Sequence, residues 1–219
     1  MDASPQCRPL TRADYRFDVV LAIVVFVGAL ISAALSSIAG VYGAEQQSSM
    51  GLAIGYAAVI SLPLAFRRRW PSVVAVIVAL AYFAAVSLRI PETFAGSIAM
   101  FVAIYTVGAW STDRRRARIV RVALIAGMFL WLLVTMFMQA TAPTDIGISR
   151  TGSFSPFVAV TLLNLMINAL YFGGAYYLGD RAWNSALQRA ALEQRTAELE
   201  AEREVTAAQA VALDRIGIA

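Results

Sequence analysis

The sequence predicts an all-α protein: a six-helix transmembrane bundle followed by a long cytoplasmic helix with coiled-coil character. Three observations carry this. Of 219 residues, 59% are hydrophobic and only 15% charged, too apolar a balance for the surface of a water-soluble domain. Six apolar runs of about 17 to 25 residues, the length a helix needs to cross a hydrocarbon layer about 30 Å thick, are separated by polar segments. After Asp180 the composition turns abruptly to Ala, Glu, Gln, Leu and Arg, with neither glycine nor proline before Gly217, which is the make-up of a helix.

The first run, Phe17 to Ile38, follows Arg8, Arg12 and Arg16. Asp18 lies at its start, where it can stay hydrated or pair with a neighbour such as Arg16. Gly28, Ala29, Ser32 and Ala33 are small enough for another helix to approach closely. A cleaved signal peptide would also place basic residues before an apolar stretch and small ones (Ser36, Ser37, Ala39, Gly40) after it. The run is long enough to span, however, and its loss would put one terminus on the wrong side for the arginine distribution. The second run, Met50 to Phe66, contains Pro63 near its end, where a kink is expected. A tight basic turn, Arg67-Arg68-Arg69-Trp70-Pro71, leads into the third run, Ser72 to Leu88, with Pro71 in the first helical turn, where its missing N–H costs little. The fourth, fifth and sixth runs are Phe94 to Trp110, Val120 to Met138 and Phe154 to Leu178; the sixth carries the small cluster Gly173, Gly174 and Ala175.

The arginines fix the orientation. Arg8, Arg12, Arg16, Arg67, Arg68, Arg69, Arg114, Arg115, Arg116, Arg118 and Arg121 all fall on one side of an alternating topology, against Arg89 and Arg150 on the other. The positive-inside rule therefore places both termini in the cytoplasm of a multi-pass protein of the inner or plasma membrane. Residues 1–16 form the cytoplasmic N-terminus, 17–178 the six-span domain and 179–219 a cytoplasmic linker. Trp70, Trp110, Tyr176, Tyr177 and Trp183 fall at the cytoplasmic interface, the place of amphipathic anchors. On the outer side, the segments around Glu45, around Pro91 and Glu92, and from Gln139 to Ser153 are far shorter than the roughly 50 residues of a folded domain. A stimulus must be read within the bilayer, at these small segments or through a partner.

Catalytic chemistry is poorly provided for. There is no lysine and no histidine, which removes imidazole as a base, phosphate carrier or metal ligand, and Cys7 is alone. No catalytic, cofactor-binding or metal-binding residue is expected in this chain, and the net charge of +4 does not imply nucleic-acid binding. The intramembrane candidates are Asn164 and Asn168, four apart on one face of the sixth helix, with Tyr171 on nearly the same stripe. That face must point at protein: as interhelical or inter-subunit hydrogen bonding, or as a polar seat for a ligand. The spans hold no lysine, facing carboxylates or Glu-x-x-His pattern, which argues against a proton-driven transporter or an intramembrane protease.

In the tail, Leu192, Leu199, Thr206 and Leu213 recur every seven residues and Ala210 supports a second seam position. The companion positions hold Thr196 and Arg203, so the expected coiled coil is weak and able to change register or rotate. Arg195, Glu198, Glu202 and Arg203 are placed for surface pairs. A homodimer in membrane lipid follows as the expected assembly.

The residues also carry a family resemblance. The turn Arg67-Arg68-Arg69-Trp70-Pro71, the stretch Tyr105-Thr106-Val107-Gly108-Ala109-Trp110 with Asp113 and the arginines after it, and the tail from Leu192 to Glu204 resemble a class of bacterial two-component sensor histidine kinases with a small six-span input domain. The closing residues, Ala212-Leu213-Asp214-Arg215-Ile216-Gly217-Ile218-Ala219, are similar to the lead-in of that class's dimerisation and phosphoacceptor helix, which continues into an Arg-Glu-Leu-His-Asp box. The resemblance implies the input and transmission half of such a kinase, truncated before the histidine and inactive alone. ATP and magnesium, histidine autophosphorylation and transfer to the aspartate of a response regulator are implied only for the kinase part. The rival reading is a non-enzymatic membrane scaffold or small transporter ending in a coiled coil.

Overall fold

A computed structural model describes residues 11–40, 48–92, 94–141 and 155–217, and every regular element among them is helical. The elements are α1 (Arg12–Ile38), α2 (Met50–Ser61) continued by a 3-10 turn (Leu62–Phe66), α3 (Pro71–Ser87), α4 (Ala95–Trp110), α5 (Arg114–Thr141) and α6 (Pro156–Gly217). The expectations for Cys7, Arg8, Glu45, Arg150 and most of the first and last outer segments lie outside the described residues, as do the side chains of Ala210 and Leu213.

Local chemistry sets the helix ends. Thr11 and Asp14 form a capping box on α1: Thr11 Oγ1 accepts from the Asp14 N–H (3.2 Å) and Asp14 Oδ2 from the Thr11 N–H (3.0 Å). Asp113 Oδ1 accepts from the Arg116 N–H in the first turn of α5, and Ser155 Oγ from the Val158 N–H in the first turn of α6. Pro63 does not kink a continuous helix; α2 stops at Ser61 and tightens into the 3-10 turn, with Pro63 near its start. Helix α3 closes with Arg89 in the left-handed region (φ 52°), where the Ile90 N–H reaches the Ala85 carbonyl (2.9 Å) and the Arg89 N–H that of Val86 (3.2 Å).

Helices α1, α5 and α6 are long and apolar enough to cross a membrane, which points to a membrane protein. The apolar segments Met50–Phe66, Pro71–Ser87 and Ala95–Trp110 are shorter. The core gathers around α4, whose Ala99, Met100, Ala103, Ile104 and Val107 are buried against α6 and α3, with α1 and α5 adding lesser contacts. Small residues dominate this core, as expected where lipid offers no hydrophobic drive and close backbone approach must supply the packing. Ala29 and Ala33 of α1 are buried as expected, but a Cβ at Gly28 or Gly173 would meet nothing, and one at Gly174 only the Phe101 ring at 4.0 Å. The closest approach lies a turn further along α6, at Gly179.

Helix α6 runs unbroken for 62 residues, about 93 Å at 1.5 Å per residue. Its seam leucines Leu192 and Leu199 are 62% and 57% exposed on the single chain. Thr196 and Thr206 satisfy their hydroxyls on the carbonyls of Leu192 and Glu202 within the same helix. The expected surface ion pairs of Arg195, Glu198, Glu202 and Arg203 do not form among the described residues; Gln194 donates to Glu198 instead (3.0 Å). Exposed pairs gain too little to hold two long side chains in one geometry.

Candidate functional site

Two arginine–carboxylate clusters occupy one end of the bundle and a polar cavity occupies the other. In the first cluster Asp18 is 3% exposed and pairs with the basic turn rather than with Arg16 as expected: Arg67 Nε donates to Oδ1 (2.9 Å). Arg68 Nε lies 3.0 Å from Oδ2 but its N–H is not aimed at that oxygen, so this second contact is Coulombic. Arg68 Nη1 also donates to Asp14 Oδ1 (2.6 Å), and its guanidinium lies 4.6 Å from the Trp110 ring centre. The turn Arg67–Arg69 is thereby fastened to the start of α1 and to the end of α4. Arg16 lies only two positions before Asp18, and such neighbours do not face each other on a helix.

In the second cluster Asp180, on α6, receives two arginines from α5. Arg121 Nη2 donates to Asp180 Oδ1 (2.8 Å), and Arg114 Nη2 donates to the same oxygen (2.5 Å). Arg121 is 1% exposed; its guanidinium lies 4.0 Å from the Tyr176 ring centre and donates to the Tyr176 carbonyl (3.2 Å). Arg114 lies 4.8 Å from the ring centre of Trp183, which is 8% exposed and so serves as a packing platform rather than as an exposed interfacial anchor. Trp70, at 54% exposure, and Tyr177, at 61%, keep the exposed position that anchors need. This cluster grips α6 where it leaves the bundle.

At the opposite end, a cavity of about 300 Å³ opens between α2, α3, α5 and α6. Asn164 and Asn168 stand on its α6 wall, with Asn168 Nδ2 donating back to the Asn164 carbonyl (2.8 Å). Tyr171 does not line it: its ring packs edge-on against Phe101 (5.0 Å) and Phe172 (5.9 Å). The remaining polar and aromatic wall comes from Tyr56, Tyr82, Glu92 and Trp131, together with Phe129 and Phe172. Glu92 is 7% exposed and its carboxylate caps α4, accepting the N–H groups of Phe94 (2.9 Å), Ala95 (2.6 Å) and Gly96 (2.9 Å). Sequence reasoning treated Glu92 as part of an outer turn; the signal that could have marked it is a carboxylate directly ahead of a helix start, where it meets unpaired N–H groups. Gly96 leaves room for these groups: a Cβ there would lie 2.2 Å from the Tyr56 hydroxyl and 3.1 Å from Glu92 Oε2 and would displace both side-chain tips.

No group of three or more potential metal ligands occurs among the described residues. Helix α6 supplies both a wall of the cavity and, about 20 Å further along, the carboxylate of the second cluster. A family model described as "Domain of unknown function (DUF7134)" matches residues 8–182. No curated protein and no solved structure matches the chain.

Proposed function

For a chain that belongs to the DUF7134 family of domains of unknown function, we propose the role of membrane input and transmission portion of a two-component sensor histidine kinase. In this reading α1 to α6 each cross the inner or plasma membrane, both termini are cytoplasmic, and two copies associate through the spans and the tail. The three shorter segments, about 24 to 28 Å long, span with arginines and tryptophans at the interface. A stimulus at the outer end shifts α6, the shift changes the Leu192–Leu199–Thr206–Leu213 seam, and the seam biases a kinase core between two states. ATP, magnesium and the response regulator belong to that core.

The observation that carries the reading is the unbroken α6, which joins the cavity wall at Asn164 to the exposed seam leucines without a hinge. A helix of this length is a means of passing displacement. The gathering of Arg67–Arg69 and Arg114–Arg121 at one end of the bundle, beside Asp180, agrees with a cytoplasmic face there.

Two measurements test the proposal. With Cys7 replaced by serine, a single cysteine at Val205 should resist a membrane-impermeant maleimide in intact cells and react in inverted vesicles; labelling from outside would refute the orientation. The reading frame downstream of Ala219 should continue into an Arg-Glu-Leu-His-Asp box; a frame without one would favour a scaffold.

A further inference from the structure

The cavity differs from the two clusters in one respect that bears on its ligand. Asp14, Asp18 and Asp180 are each matched by arginine, whereas Glu92 has no arginine partner among the described residues. Its charge is met by three backbone N–H groups and the positive end of α4, which offset only part of a unit charge. A carboxylate on the wall of a partly open cavity gives that cavity a negative end, which favours a cationic occupant over a neutral one.

The rest of the wall is suited to a cation. Tyr56, Tyr82, Trp131, Phe129 and Phe172 make its lining strongly aromatic. Aromatic faces attract quaternary ammonium groups, most strongly where water is excluded. The volume of about 300 Å³ is at the small end for ligand sites and suits a compact molecule.

We propose that this cavity binds a small organic cation of the quaternary-ammonium class, with Glu92 as counter-ion and Trp131, Tyr82 and Tyr56 as the aromatic surround. Asn164 and Asn168 supply polar contacts from α6, so occupancy draws on the output helix directly. The signalling consequence rests on the sensor reading above, but binding itself does not, and it is measured on this chain alone without any kinase activity.

The test is calorimetric titration of the purified chain in nanodiscs with choline and with 3,3-dimethylbutan-1-ol, its uncharged isostere, up to ~10 mM. The expected result is saturable choline binding at least ~10-fold tighter than that of the isostere. Glu92→Gln, which keeps an oxygen to cap α4, should weaken choline ~10-fold or more and leave the isostere unchanged. Trp131→Leu should weaken choline as well, guarding against a Glu92 variant that fails to fold. Equal affinity for choline and its isostere, or no saturable binding of either to the folded wild-type chain, would overturn the proposal. If choline binds as predicted while the downstream frame lacks a phosphoacceptor box, the site stands and the kinase reading falls; the reverse outcome removes the site and leaves the kinase reading intact.

Discussion

Gly108 of α4 and Gly179 of α6 bring two helix backbones into contact: a Cβ added at Gly179 would lie 2.9 Å from the Tyr105 carbonyl oxygen and 3.2 Å from the Gly108 Cα. Backbone atoms cannot yield as side-chain tips do, so Gly179→Val should force the helices apart and lower stability by about 1–3 kcal/mol. On the same helix, Gly173→Ala meets nothing and should be neutral or stabilising by up to ~1 kcal/mol through helix propensity. Thermal unfolding of the two variants in one detergent checks the contrast; equal shifts would show that the contact does not matter.

Asp180→Asn leaves Arg121, which is 1% exposed, without its carboxylate. The expected loss is about 3 kcal/mol, at the low end for a broken buried pair because Asp180 is one-third exposed. Adding Arg121→Met removes the stranded charge and should recover most of that loss. A double-mutant cycle by denaturant or thermal unfolding measures it, and strict additivity would contradict the pairing.

Asp14 links stability to pH. Hydrogen bonds from the Thr11 hydroxyl and backbone N–H, followed by the one from Arg68, lower its pKa from 3.8 to about 2. A carboxyl with a lowered folded-state pKa adds stability that is fully present above 3.8 and is lost as pH falls towards 2. Amide exchange in the first turn of α1 should therefore accelerate across that interval. In Asp14→Asn the exchange should already be fast at neutral pH and insensitive to this range.

The seam of the tail should respond to apolar substitution. Thr206→Leu together with Thr196→Leu replaces two self-satisfied hydroxyls with side chains that gain by burial against a second copy. Sedimentation in detergent should show self-association strengthened ~10-fold or more. No change would mean that this face does not meet another copy.

Much of the helical layout was legible in the sequence because span length, proline, capping residues and arginine runs are local signals. The second run ends at Phe66 and the fourth at Trp110, as the sequence predicts. Partner choice was not legible. Asp18 reaches Arg67, 49 positions away, and spans that are apolar all round carry no periodicity to say which face meets which helix. Of the glycines on α6, Gly173 and Gly174 looked like the contact, yet Gly179 makes it, since the crossing point depends on how α4 is placed. The cavity was half visible: Asn164 and Asn168 stood out as polar residues in a span, whereas Glu92, Tyr56, Tyr82 and Trp131 come together only through the tertiary fold.

Transmission through an unbroken α6 is tested most directly by a distance along it. In the Cys7→Ser background, spin labels at the exposed positions Ile167 and Val205, diluted with unlabelled chain in nanodiscs, report on both sides of the membrane edge by pulsed electron paramagnetic resonance. A rigid helix predicts one narrow distribution centred near about 57 Å. A broad or markedly shorter distribution would mean that the helix breaks on leaving the bilayer and cannot carry movement from the cavity to the seam.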